Sequence, residues 1–323
     1  MTGSGCPGGD VVDMAPPDDL VQPFQVDVQQ IRGRLVRLGP LVDTILARHG
    51  YPDLVAGMLG EAIALTATFS AALKFDGVFS LQTKSDGPVS VLVADATSDG
   101  EIRGYAAFDA DRIAALQEES AAGSVPRLLG AGYLAFTVDQ GADTERYQGI
   151  VELMGAGLVD CVQHYFQQSE QFDAAVLLAA GRVGGAPSGD RLDGPWRAGA
   201  LMIQRLPPED PLAPDVSEVV EEGWRRALAL MASGTRDELL DPDLAPTDLL
   251  YRLFHEEGVR AYMPRPLAAG CRCSRERAAA TLEMLSRQEL DEMTVDGRVT
   301  VTCQFCNRTE DFADPELAAL RAG

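Results

Sequence analysis

Residues 271–277 read Cys271-Arg272-Cys273-Ser274-Arg275-Glu276-Arg277, and residues 303–306 read Cys303-Gln304-Phe305-Cys306. Between the two close pairs lie 29 residues. Four thiols in two pairs suit a tetrahedral zinc ion, which takes thiolate as a ligand. C-x-x-C is the usual metal knuckle, whereas C-x-C is rarer and the gap exceeds that of ordinary zinc ribbons. The segment around the pairs spans about 55 residues, below the size at which an apolar core alone is sufficient. A metal would then stabilise the fold as well as supply chemistry, contributing roughly 10–16 kcal/mol at sites of this kind. On spacing alone two readings stay open. One is a purely structural zinc. The other is a redox switch. Residues two apart join as a disulfide only through a sharp turn, and strained disulfides are easily reduced again. Arg272, Arg275 and Arg277 would favour the thiolate form. The bland alternative is four unrelated buried cysteines, which such regular spacing argues against.

Upstream the texture differs. Four prolines (Pro207, Pro208, Pro211, Pro214) mark a linker in an acidic stretch. An amphipathic helix follows, with Val216, Val219, Val220, Trp224, Ala227, Leu228 and Met231 at helical spacing and charged residues between them. A second helix is expected from Thr247 to Glu257, stopped by Gly258. From about Phe24 to Leu206, apolar runs alternate with turns. A short helix follows Gly39-Pro40, and a long apolar one runs from Pro52 to about Lys74. Strands are expected over Val78–Leu81, Val89–Ala94, Ile102–Phe108, Tyr133–Val138 and Ala200–Leu206, and a helix from Val151 to about Gln168. Strands outnumber helices without βαβ alternation. The class is therefore α+β: an N-terminal mixed α/β domain with a mainly antiparallel sheet, a helical linker and a small C-terminal zinc-binding domain. The expected divisions are a disordered tail at 1–21, the N-terminal domain at 22–206, the linker at 207–265 and the zinc domain at 266–323.

Composition narrows the function. The 323 residues carry 27 Lys and Arg against 49 Asp and Glu, a formal charge of −22, and only two of the basic residues are lysines, Lys74 and Lys84. Neutralising phosphates needs a basic face, so neither nucleic acid nor a membrane is expected as a partner. Six cysteines are too few for a secreted disulfide scaffold, and residues 1–19 have no signal-peptide pattern, so the expected location is the cytoplasm. Residues 54–73 have bilayer length, but the central Glu61 favours a buried core helix. Cys161 lies in an apolar helical pattern and reads as an inert buried thiol, Cys6 as incidental, and His164 and His255 as surface or capping residues. The glycines of Gly130-Ala-Gly132 and Gly155-Ala-Gly157 fit no phosphate-loop pattern and read as turns. No catalytic constellation stands out.

The cysteine motif with Cys303-x-x-Cys306 downstream resembles the redox-regulated bacterial chaperones of the heat-shock protein 33 family. The resemblance extends to Leu73-Lys-Phe-Asp-Gly77, Asp86-Gly-Pro88, Glu145-Arg-Tyr-Gln-Gly149 and Phe254-His-Glu-Glu257, and covers residues 22 to 315. Lys84-Ser85 ahead of Asp86 and Asn307 after the last cysteine depart from the family's pattern. The resemblance implies a non-enzymatic, ATP-independent holdase that is inactive when reduced and zinc-bound and active once oxidised. Cys271, Cys273, Cys303 and Cys306 would ligate one zinc per chain, and the pairs Cys271–Cys273 and Cys303–Cys306 would become disulfides. Unfolding proteins would be the partners, with a homodimer of the oxidised form left open. The stripe of Val216, Val220, Trp224, Leu228 and Met231, covered when reduced and uncovered when oxidised, is the candidate client surface. The alternative from another class is a thiol–disulfide oxidoreductase using Cys303-x-x-Cys306. No thioredoxin-like βαβ pattern precedes it.

Overall fold

Two antiparallel sheets lie on either side of one apolar helix, and every other element is placed by what those sheets leave uncovered. A computed structural model describes residues 17–26, 31–118, 124–141, 147–166, 173–184, 187–188, 191–205 and 216–320, without the side chains of 187–188, 191–192, 216–220 and 318–320. Residues 1–16 of the tail expected at 1–21 and the proline-rich stretch at 207–214 lie outside the described residues.

The chain opens with β1 (Leu20–Val26) and β2 (Ile31–Leu38), then α1 (Pro40–Ala47) and α2 (Asp53–Ser70). Next come β3 (Val78–Ser85), β4 (Val89–Thr97) and β5 (Glu101–Phe108), then α3 (Ala110–Glu118) and α4 (Val125–Leu128). β6 (Gly132–Asp139), β7 (Tyr147–Glu152), α5 (Leu158–Tyr165) and β8 (Ala174–Arg182) follow. A small hairpin, β9 (Pro187–Ser188) and β10 (Arg191–Leu192), leads into β11 (Trp196–Arg205). Three helices come next: α6 (Val216–Ala232), α7 (Arg236–Leu240) and α8 (Pro246–Phe254). Short strands β12 (Val259–Ala261), β13 (Arg265–Pro266) and β14 (Ala268–Ala269) bring the chain to α9 (Arg275–Glu283) and α10 (Arg287–Met293). The hairpin β15 (Arg298–Thr302) and β16 (Thr309–Ala313) precedes α11 (Asp314–Leu320).

The first sheet has the order β12-β1-β2-β11-β8, with β13 also on β1; the second has the order β14-β5-β4-β3-β6-β7. All pairings are antiparallel except β14 on β5. α2 runs between the sheets and buries 14 of its 18 residues, which is why it is apolar all round. Asp53–Ala72 is long and apolar enough to cross a membrane, yet it is mostly buried inside the fold. Close approach is made by glycine on both sides. A Cβ on Gly60 would stand 3.0 Å from the Ala180 Cβ, and one on Gly104 would stand 2.9 Å from Ile63.

Burial on both faces also governs the first sheet. Val36, Leu38, Ala198, Ala200 and Met202 face α2. Phe24, Leu35, Leu201 and Ile203 face the other way, against Trp224, Ala227, Met231, Leu249 and Phe254 of the linker helices. The linker thus forms an outer layer on the N-terminal sheet. The C-terminal segment has its own small core of Leu282, Leu290, Val299, Phe312 and Leu317.

Two expectations need correction. The helix expected from Val151 to Gln168 is a strand up to Glu152 and a helix only from Leu158 to Tyr165. Gly155 takes φ +81°, a left-handed conformation that interrupts any helix, and Val151 packs into the core from β7. The sheet also begins earlier than expected, at Leu20, with Val21 buried.

Candidate metal centre

The four cysteines meet from two loops. Cys271 and Cys273 lie just ahead of α9, whose N-cap Ser274 accepts a hydrogen bond from the Arg277 amide at 3.3 Å. Cys303 and Cys306 lie in the turn between β15 and β16. That turn is closed by the Asn307 amide donating to the Cys303 carbonyl at 2.9 Å, with Asn307 at φ +61°, a conformation asparagine tolerates. A residue departing from the family's pattern therefore suits the turn that presents the last cysteine.

All four sulfurs lie within 4.8 Å of one another. The close approaches run across the pairs: Cys271 Sγ to Cys303 Sγ at 3.7 Å and Cys273 Sγ to Cys306 Sγ at 3.3 Å. Thiolates bound at about 2.3 Å to one tetrahedral ion would be separated by about 3.8 Å. The cluster could hold a metal ion. All four are free thiols. Burial pushes Cys273 and Cys306 up; burial acts on Cys271 too, but the Cys273 amide and the neighbouring thiols outweigh it and bring Cys271 down to about 7. One thiolate is thus stabilised among thiols. Arg103, Arg272, Arg277 and Arg308 line a cleft beside Cys273 and Cys303.

The family model for the Hsp33 protein matches residues 19–313. This chain belongs to the Hsp33 family. Its relatives include the 33 kDa chaperonin of Caulobacter vibrioides, 40% identical over 299 residues that span 92% of this chain and 96% of that protein. The 33 kDa chaperonin of Ectopseudomonas mendocina is 37% identical over 308 residues, 95% of this chain and 96% of that one. The crystal structure of the Thermotoga maritima Hsp33 homologue shares the fold, with a TM-score of 0.75 at 23% identity over 94% of this chain and 98% of that one. Hsp33 membership supports a chaperone role.

Within this Hsp33 chain the linker stripe is partly visible. Trp224 and Met231 are buried and Leu228 is partly buried, all packed on the first sheet; the side chains of Val216 and Val220 lie outside the described residues. Cys161 is buried, and its thiol donates to the Met154 carbonyl at 3.1 Å. His255 is exposed and follows α8, its Nδ1 3.0 Å from the Tyr251 carbonyl oxygen. The reading of the sequence missed the groups that seat the cysteine loops. His49 Nε2 lies 3.4 Å from the Phe305 carbonyl oxygen, and Asn307 Nδ2 donates to the Arg48 carbonyl at 3.1 Å. Asp95 and Arg103, on facing strands, also touch these loops. No local motif marks them, because their partners are more than 150 residues away in the chain.

Proposed function

We propose that this protein is an ATP-independent holdase chaperone, switched on by oxidation of Cys271, Cys273, Cys303 and Cys306, that protects unfolding proteins from aggregation in the cytoplasm. Its units are an N-terminal domain to residue 206, a linker at 207–265 and a switch domain from 266. The observation that carries the reading is the location of the candidate client surface. Trp224, Ala227 and Met231 are covered by the N-terminal sheet, while the thiols sit in a module with five buried apolar side chains among the described residues. So small a core needs a further stabilising term. Zinc, when bound, would hold the four sulfurs as thiolates and join the two loops.

With hydrogen peroxide as oxidant, one thiolate of each pair attacks the O–O bond, becomes a sulfenic acid and releases hydroxide. The second thiolate displaces hydroxide from that sulfur and the S–S bond forms. Each pair gives up two electrons; one peroxide takes them with two protons and becomes two waters. Disulfide sulfurs no longer serve as anionic ligands, so the two loops lose their cross-link and the module its main stabilising term. The pairing Cys271–Cys273 and Cys303–Cys306 is the one the family resemblance implies. The linker helices, joined to the module through the short strands β12, β13 and β14, would then loosen and offer Val216, Val220, Trp224, Leu228 and Met231 to clients, burying apolar surface at about 25 cal/mol per Å². An oxidised homodimer would enlarge that surface.

The test is aggregation of a thermally unfolding client with reduced or peroxide-treated protein. Suppression only after oxidation, at stoichiometric ratios, is expected. Turnover of a disulfide substrate by substoichiometric protein would contradict it. Metal analysis should find one zinc per reduced chain, and each Cys→Ser variant should lose it at limiting zinc.

A further inference from the structure

Each cysteine pair has an intervening residue that reaches out of the module, and both reach the same place. Arg272, between Cys271 and Cys273, donates Nη2 to Asp95 Oδ2 at 2.7 Å. Phe305, between Cys303 and Cys306, lies under the Arg103 guanidinium, whose carbon is 3.8 Å from the ring centroid. Arg103 itself donates Nε at 2.8 Å and approaches with Nη2 at 2.7 Å on that same Asp95 oxygen. Asp95 and Arg103 are cross-strand partners on β4 and β5, and Asp95 is only 5% exposed. A buried carboxylate of the N-terminal sheet therefore holds two guanidiniums, one touching each pair. The backbone supports the same seat, with β14 running parallel to β5 and the Gly270 amide donating to the Ile102 carbonyl at 2.9 Å.

We propose that Asp95 and Arg103 are positioning residues of the thiol switch: they hold one intervening residue of each cysteine pair against the N-terminal sheet and so oppose closure of either pair into a disulfide. The proposal rests on the redox reading above. Closing a pair two or three residues apart needs a sharp turn with the intervening residue or residues at its apex. Arg272 and Phe305 are anchored at their far ends, so they must let go for that turn to form. Linkage makes the effect reciprocal. Whatever docks better in the dithiol form also stabilises the dithiol form, and closing either pair must weaken docking. The N-terminal domain would thus set how much oxidant the switch requires, and would sense both pairs through one carboxylate.

The experiment uses full-length Asp95→Asn, Asp95→Glu and the double variant Arg272→Gln/Phe305→Ala, the last leaving the N-terminal sheet untouched. Reduced, each should retain one zinc. Under a fixed excess of peroxide, with release followed by a chromogenic zinc chelator, Asp95→Asn and the double variant should lose zinc about tenfold faster than wild type, a factor equivalent to about 1.4 kcal/mol. Asp95→Glu should recover most of the wild-type rate, which a merely structural role would not predict. Wild-type rates in both the Asn and the double variant would overturn the proposal and leave the redox reading standing. So would acceleration by Asp95→Asn alone, since Asp95 would then act through the N-terminal fold. If Asp95→Asn does not fold, the double variant decides. Failure of wild type to release zinc under peroxide would sink the redox reading, and this proposal with it.

Discussion

A zinc tetrathiolate at the four cysteines would carry two net negative charges, and the side chains around them could offset that charge. Arg103, Arg272, Arg277 and Arg308 line the adjoining cleft, with Asp95 paired to the first two and Glu310 to the last. Two positive charges are left over. Arg277 has no carboxylate partner among the described residues and donates to the Arg272 carbonyl at 2.7 Å. Arg277→Gln should therefore weaken zinc binding about fivefold, an effect of about 1 kcal/mol for a partly exposed charge, read by competition with a chelator. A second titratable group works in the opposite sense. Burial pushes the Glu61 carboxyl up to about 7, against the pull of Arg236. A carboxylate with a folded-state pKa above its unfolded 4.5 contributes most to stability below that value. Stability then falls as pH rises towards 7 and stays at the lower level above it. Glu61→Gln should stabilise the N-terminal domain by at most about 3 kcal/mol at pH 8, with less than half that gain at pH 5.5. Thermal unfolding at the two pH values checks it; equal gains would place the cost of Glu61 elsewhere.

Among the elements, α6 decides whether a client surface exists. Its inner face is buried on the first sheet through Trp224, Ala227 and Met231, and its middle turns are tied by Arg205 to Glu221 at 2.8 Å and Arg226 to Glu257 at 3.2 Å. Arg37 of β2 reinforces the seat: fully buried, it donates to the carbonyls of Leu244 at 2.8 Å and of Asp241 in the loop after α7. Trp224→Ala should remove about 3–5 kcal/mol of packing, detach the linker before the N-terminal domain melts, and give holdase activity without oxidant. A variant that stays silent until oxidised would separate linker docking from activity. This helix was legible because one face is apolar and the other charged, and α8 with Gly258 was legible from its end signal. β1, β2 and β8 were not recognised as strands. Both faces of their sheet are buried, so the period-two alternation that marks a half-exposed strand is absent. The four cysteines stand out by spacing alone. Asp95 and Arg103 were illegible because fold topology, not local sequence, carries them to the cysteines.

At the scale of the molecule, three cores of unequal size are joined in series. The largest holds α1, α2 and both sheets; the linker core shares the outer face of the first sheet; the last, beside the thiols, is smallest. β12 and β13 are both stitched to β1, and β14 to β5, so the path from linker to cysteine module runs along the edges of the N-terminal sheets. Loss of the module would free the β13–β14 segment first and leave the linker helices held by their packing on the first sheet, the β12 pairing and the Arg37 and Arg205 contacts. The low-stability end of such a chain is where opening is expected, and a formal charge of −22 would keep the opened form soluble. Hydrogen exchange on reduced, zinc-loaded protein and on peroxide-treated protein tests this most directly. Residues 216–257 and 266–320 should lose protection together on oxidation while β2, β8 and β11 keep theirs. Unchanged protection across 216–257 after zinc has left would contradict it, and the client surface would have to lie elsewhere.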